Sequence, residues 1–292
     1  MFYEKRAMLF ERYNEARQYF IENPTALIRV ERYMTMLVNE VIDRQYPEME
    51  HDYNEASYLH AFWASCPPEN RGRAPIGDQI PWIEVGEHAV GHKIARLLAQ
   101  QFEIHEPGLP SGADNRVVLV SSDLLALTGG LTDRVFLFLD IKSVGPRDNF
   151  DHTVVSPYQI SGDGLWDDPK ENLVNSPMVA QGRSVSHIFY PAIPPLYILT
   201  DGSVAPTVQL FVKPVYQMLA GDRSGQPLAC IKNICLPNGL LLTQNPNYLK
   251  KYKGLLYPGK DDRKKDPRKI RVRVSFPILR DIAPWRVTEF HP

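Results

Sequence analysis

The sequence predicts an α/β fold, a mixed β-sheet flanked by helices, and three observations carry that reading. The first hundred residues place apolar side chains at helical spacing. Beyond residue 115 the apolar residues instead gather in short, near-continuous runs of the kind found in buried strands. Turn signals such as Asp201-Gly202 join those runs. Helices first and a mixed sheet after describe an α/β or α+β domain.

The elements follow in order. Residues 2–21 form a helix with Phe2, Leu9, Tyr13 and Phe20 among its apolar positions. Asn23 suits the N-cap of a second helix and Pro24 its first position. That helix carries Leu27, Val30, Met34, Leu37, Val38, Val41 and Ile42 on one stripe, with Pro47 expected just beyond its end. Residues 48–83 read as irregular, because Pro67, Pro68, Gly72, Pro75, Gly77 and Pro81 break any long element. A third helix runs from about 84 to 102 on Val85, Val90, Ile94, Leu97 and Leu98. Strands are expected at 116–120, 134–139, 196–200, 207–212, near 240–243 and at 271–274. The long stretch 145–193, rich in Pro, Gly, Asp and Ser, reads as a functional loop system.

Composition narrows the class. A chain of 292 residues that is 43% hydrophobic and 23% charged belongs among ordinary globular proteins. The cysteines, Cys66, Cys230 and Cys235, are odd in number and form no CxxC pair, which points to a reducing compartment. Glu4, Lys5, Arg6 and Glu11 exclude a signal-peptide core at the N-terminus, and runs such as 135–139 are too short to span a bilayer. A cytoplasmic protein with no membrane partner is expected. The net charge of −1 argues against a generic nucleic-acid binder. Its distribution argues the other way. Residues 250–273 hold eleven Lys or Arg against three Asp, a local +8, so the remainder carries −9. A basic segment on an acidic body is either a polyanion-binding face or a solvated loop.

The sharpest motif is Asp140-Ile141-Lys142, directly after the apolar run 135–139. Residues two apart on a strand share a face, so Asp140 and Lys142 project together. Asp114 lies just before the strand expected at 116–120 and meets Asp140 if the two strands pair. Phosphodiester hydrolysis needs such a set. Two carboxylates, with the Ile141 carbonyl between them, offer hard oxygen ligands to one or two Mg²⁺ ions. Lys142 is placed to orient or deprotonate a water, or to neutralise transition-state charge. The alternative is a surface Asp–Lys pair capping a strand. His88 and His92 are four apart on the third helix, but no Glu follows His88 to complete HExxH, so they read as ordinary helix residues. Glu84 and Glu87 sit on the same helix and read either as an approach to the metal site or the dimer contact, or as acids that the macrodipole favours near a helix N-terminus.

Longer blocks go beyond the tripeptide. Asp140-Ile-Lys-Ser-Val-Gly-Pro-Arg-Asp148, Gly77-Asp-Gln-Ile-Pro-Trp-Ile-Glu-Val-Gly-Glu87, Ile193-Pro-Pro-Leu-Tyr-Ile-Leu199, Pro258-Gly-Lys-Asp-Asp-Arg263, Arg271-Val-Arg-Val274 and Asp52-Tyr-Asn-Glu-Ala56 closely resemble, in the same order, the BglI family of type II restriction endonucleases. The resemblance implies a PD-(D/E)xK core in one domain spanning 1–292, with helices over about 1–105 and a catalytic and DNA-reading sheet over about 106–292. It implies a homodimer acting on double-stranded DNA at GCC-N5-GGC and leaving 3′ overhangs, with Asp114, Asp140 and Lys142 catalytic. Ala113 departs from the proline that commonly precedes the first acid. A cognate DNA methyltransferase is expected as a genomic neighbour.

A GCC half-site presents guanine acceptors and a cytosine donor in the major groove, read best by Arg or Lys and by a carboxylate. Lys260, Asp262, Arg271, Arg273 and Asp148 supply both types and are the candidate DNA readers, with phosphate contact or structural pairing as the alternative. Two rival functions remain: a structure-selective repair or junction nuclease, and a non-catalytic DNA-binding regulator.

Overall fold

A computed structural model of the protein describes residues 5–64, 85–109, 112–144, 151–217, 227–259 and 270–292. Helix α1 (Arg6–Glu22) buries Tyr13, Ala16 and Phe20. Asn23 ends it, because the Asn23 side-chain amide donates to the Tyr19 carbonyl at 3.0 Å. The side chain therefore closes α1 rather than capping the next helix, while Pro24 takes the expected first position of α2 (Pro24–Ala64).

Helix α2 corrects the sequence reading. It runs 41 residues with Pro47 inside it, so 48–64 is helical and not irregular. An interior proline costs about 3 kcal/mol. The buried stripe nevertheless continues through Tyr46, Met49 and Tyr53. Burying each such side chain returns roughly 1.5–3 kcal/mol, enough to outweigh the break. Helix α3 (Lys93–Gln101) is entered through a π-helical turn, Glu87–His92. Lys93 pins it to α2 through Asp52 at 2.5 Å and Glu48 at 2.9 Å.

The strands are β1 (Glu103–His105), β2 (Asn115–Val120), β3 (Arg134–Ile141), β4 (His152–Val155), β5 (Met178–Gln181), β6 (Ser186–Phe189), β7 (Leu196–Ile198), β8 (Val204–Tyr216), β9 (Leu228–Leu236), β10 (Leu256–Pro258), β11 (Val272–Ser275) and β12 (Val287–Phe290). Seven of them make the main sheet, in the order β1-β2-β3-β8-β9-β12 with β7 also on β8. Within it β3 and β8 run parallel and the other pairs antiparallel, so the sheet is mixed as expected. A three-stranded sheet, β10-β11-β4, and the pair β5-β6 complete the β structure of the described residues. Of these, β4, β5 and β6 fill part of the stretch read as loops, each too short to impose a period, and β11 is the strand expected at 271–274.

Strand β3 divides the core. Val135, Leu137, Leu139 and Ile141 pack with Val30, Met34, Val90 and Ile94 of the helical layer. Phe136 and Phe138 face the other way, against Ile193 and Ala205. Asp140 follows on their face by the period of two. Beyond that face Tyr13 and Phe20 join Val155, Phe189, Phe211, Leu240 and Val272 in a second large cluster.

Residues 240–243 were expected as a strand and are a helix, Gly239–Thr243. The Asn238 side-chain oxygen accepts from the Leu240 amide at 3.0 Å, an N-cap that redirects the chain. The strand lies earlier, at β9, where Lys232 and Asn233 interrupt the apolar run. Among the described residues Cys230 and Cys235 are free and buried. Among the described residues no helix is long and apolar enough to cross a membrane.

Candidate catalytic centre

The β2–β3 register sets Asn115 opposite Leu139, which brings Asp114 beside Asp140. Asp114 Oδ2 accepts from the Ile141 amide at 2.6 Å. Lys142 Nζ lies 2.6 Å from Asp140 Oδ2. The Lys142 amide donates to the Val212 carbonyl at 2.8 Å, so the β3–β8 ladder fixes the backbone that carries it. The sequence-predicted set of Asp114, Asp140, Ile141 and Lys142 thus converges on one strand end.

The two charged partners differ in depth. Asp140 is 2% exposed, whereas the Lys142 side chain is 25% exposed at the mouth of the site. Burial pushes the Asp140 carboxyl up to about 6; Lys142 opposes the rise and Asp114 adds to it. A carboxylate so placed gains from any nearby cation.

Gln159 is the site residue that the sequence reading missed. Its Nε2 donates to Asp140 Oδ1 at 2.6 Å and to the Gly112 carbonyl at 2.8 Å. Its own Oε1 accepts from the Ser156 amide at 2.9 Å, half of a capping box around the 3₁₀ turn Pro157–Gln159. The S-x-x-Q spacing of Ser156 and Gln159 is a sequence-level signal for that turn, though not for its contact with Asp140. Lys213 was also missed. It is 1% exposed on β8, and its Nζ donates to the His152 carbonyl at 2.6 Å, tying β4 to the main sheet.

These groups line a cavity of about 550 Å³ whose walls include Asp114, Asp140, Lys142, Gln159, Lys213 and Arg271. Glu87 also reaches this cavity from the π-helical turn. Arg271, at the start of β11, is therefore in the same cleft as the acids. Arg273, two residues on, lays its guanidinium against Gly259, where a Cβ would sit 1.5 Å from it. Asp148, Lys260 and Asp262 lie outside the described residues, as does Glu84.

The donor set suits a hard divalent cation: two carboxylates and a backbone carbonyl, all oxygen. Among the described residues no group of three or more His, Cys, Asp or Glu side chains forms a metal cluster. An ion here would thus draw on the Ile141 carbonyl and on water to complete its shell.

Comparisons with known proteins place the chain in a family. The model of the family described as "Restriction endonuclease BglI" matches residues 8–290. The type II restriction enzyme BglI of Bacillus subtilis is 48% identical over 289 residues, 97% of each chain. The crystal structure of BglI bound to its DNA recognition sequence superposes with a TM-score of 0.91 at 47% identity, over 100% of this chain and 99% of that one. Tetrameric SfiI bound to cognate DNA gives a TM-score of 0.57 at 16% identity, over 90% and 83% of the two chains, a likeness of fold. The chain belongs to the BglI family of type II restriction endonucleases.

Proposed function

We propose that this protein hydrolyses double-stranded DNA at an interrupted palindrome, GCC-N5-GGC, with Mg²⁺ and with Asp114, Asp140 and Lys142 as its cutting centre. The observation that carries the reading is the meeting of two carboxylates and a lysine in a cleft that Arg271 also lines. The relative's DNA-bound state supports DNA as the substrate.

Asp114, Asp140 and the Ile141 carbonyl would hold the ion or ions. In an extended strand the N–H and C=O of one residue point to the same edge. The Ile141 N–H meets Asp114, so its carbonyl faces that edge as well. The bound ion supplies Lewis-acid polarisation of the phosphate and a water of lowered pKa. The chain's own groups do the rest. Gln159 fixes the Asp140 carboxylate. Lys142 orients the attacking water or offsets charge that develops on the phosphate. Hydrolysis leaves a 5′-phosphate and a 3′-hydroxyl, with 3′ overhangs.

Arg271, Arg273, Lys260, Asp262 and Asp148 are the proposed base readers. Guanine is met by the cations and cytosine N4 by the carboxylates. A two-fold homodimer matches the symmetry of the site, each subunit reading one half and cutting one strand. The enzyme works in the cytoplasm beside a methyltransferase that protects the host's own sites.

Digestion of a long DNA of known sequence, with Mg²⁺ or with EDTA, tests this, followed by sequencing of the ends. Discrete Mg²⁺-dependent ends within GCC-N5-GGC are expected. Discrete ends elsewhere would discard the site while keeping the nuclease. Folded protein that binds DNA and leaves it intact would overturn the assignment in favour of a regulator. Lys142→Ala is expected to abolish cutting and retain DNA binding.

A further inference from the structure

The motif His88-x-x-x-His92, read from sequence as ordinary helix residues, changes meaning in the π-helical turn. The two Nδ1 atoms lie 3.1 Å apart, and the rings stand at 86° to each other. Both side chains are exposed. We propose that His88 and His92 form a second metal site, separate from the cutting centre, for a borderline transition ion such as Zn²⁺, Ni²⁺ or Cu²⁺.

The geometry carries the proposal. Imidazole nitrogens bind Zn²⁺ at about 2.0–2.1 Å. Two of them on one ion, at an angle between square-planar and tetrahedral, stand roughly 2.9–3.4 Å apart. The observed separation of 3.1 Å falls within that range. Without an ion, one ring must donate to the other, since two acceptor nitrogens would repel. Either arrangement holds the two nitrogens together, and the ion replaces the shared proton. Solvent fills the remaining positions.

Ligand chemistry separates this site from the cleft. Imidazole suits Zn²⁺, Ni²⁺ and Cu²⁺, whereas carboxylate, carbonyl and water suit Mg²⁺. The two sites are nonetheless joined by backbone. Glu87, next to His88, lines the cleft. Gly91, next to His92, lies so close to Ile141 that a Cβ there would be 2.6 Å from Ile141 Cγ1. An ion held by the histidines ties together one turn of the helix, the turn whose Gly91 packs against the strand that carries Asp140.

The test is titration of untagged protein with Zn²⁺ in a large excess of Mg²⁺, followed by calorimetry. Wild type is expected to take up one ion that the His88→Ala/His92→Ala double variant binds at least tenfold more weakly. Asp140→Ala should bind it as wild type does. Electron paramagnetic resonance of the Cu²⁺ adduct should report two nitrogen ligands, both lost in the double variant. The circular dichroism and Tm of the double variant show that it is folded. Equal titrations of wild type and a folded double variant would overturn the proposal. So would an affinity that falls with Asp140→Ala and not with the histidine changes.

Discussion

Gln159 donates a 2.6 Å hydrogen bond from Nε2 to Asp140 Oδ1. Its second amide hydrogen goes to Gly112 and its oxygen is taken by the Ser156 amide, so the side chain has no freedom to rotate. One oxygen of Asp140 is therefore held by a neutral donor, and the other faces Lys142.

Removing that neutral donor should loosen the acid. Groups behind a metal ligand typically govern about 10- to 100-fold in metal affinity or activity. Gln159→Leu is expected to shift the Mg²⁺ concentration for half-maximal cleavage upward by that order while DNA binding holds. Rates measured across a Mg²⁺ series decide it; a curve that overlays wild type would leave Gln159 a purely structural residue.

Asp140 should cost the metal-free protein stability at neutral pH. Its folded pKa, about 6, exceeds the ordinary 3.8, so burial favours the protonated form. The group's contribution is fully present below 3.8 and is lost as pH rises through about 6. Asp140→Asn removes this titration. In EDTA the Asn variant should be more stable than wild type at pH 8, by on the order of 1–3 kcal/mol. Near pH 4 the gap should shrink. Urea unfolding at the two pH values checks both statements, and a gap of equal size at each would refute the account. Cleavage at fixed Mg²⁺ should likewise fall as pH drops through about 6, because the proton competes for the same oxygen.

Gly91→Ala should disturb both packing and cutting. Its new methyl would meet Ile141 at 2.6 and 2.9 Å. Overpacking of this kind costs typically about 1–3 kcal/mol. Since Ile141 sits between Asp140 and Lys142, the strand shift that relieves the clash also moves the acids. A lower Tm with reduced cleavage per folded molecule is expected. Unchanged values for both would mean that the turn yields instead of the strand.

Glu31 and Arg286 form an ion pair at 2.7 Å with both side chains 0% exposed. Glu31 also accepts from the Asn238 amide at 2.6 Å. Breaking a buried pair from one side strands a charge and costs roughly 3–5 kcal/mol. Arg286→Met should lose that much in denaturant unfolding, and Glu31→Leu/Arg286→Met should recover most of it. A double variant as weak as the single one would place the loss in packing rather than in charge.

The convergence of Asp114, Asp140 and Lys142, the proposed cutting centre, was legible because its signals are local. Asp140 and Lys142 follow a buried run, and the period of two fixes their common face; Asp114 needed only the neighbouring antiparallel strand. Gln159 arrives on the 3₁₀ turn that follows β4, a strand of a different sheet, and no pattern in its own stretch points at Asp140. Pro47 hid the second half of α2, since a proline is the strongest helix-ending signal and the burial that overrides it is tertiary. In the same way Leu240 to Leu242 fit a buried strand as well as a buried helix, and only the Asn238 cap decides. The histidine pair was visible as a spacing but not as a distance, because a π-helical turn sets its geometry.

The Glu31–Arg286 pair spans 255 positions of sequence. At synthesis rates of about 5–20 residues per second, roughly 13–50 s separate the appearance of the two partners. During that interval the acid on α2 waits without its base, and the edge strand β12, which directly follows Arg286, has yet to close the sheet. A nascent type II restriction endonuclease thus carries the acid on α2 long before its base exists, and chains abandoned before Arg286 leave Glu31 without its charge partner.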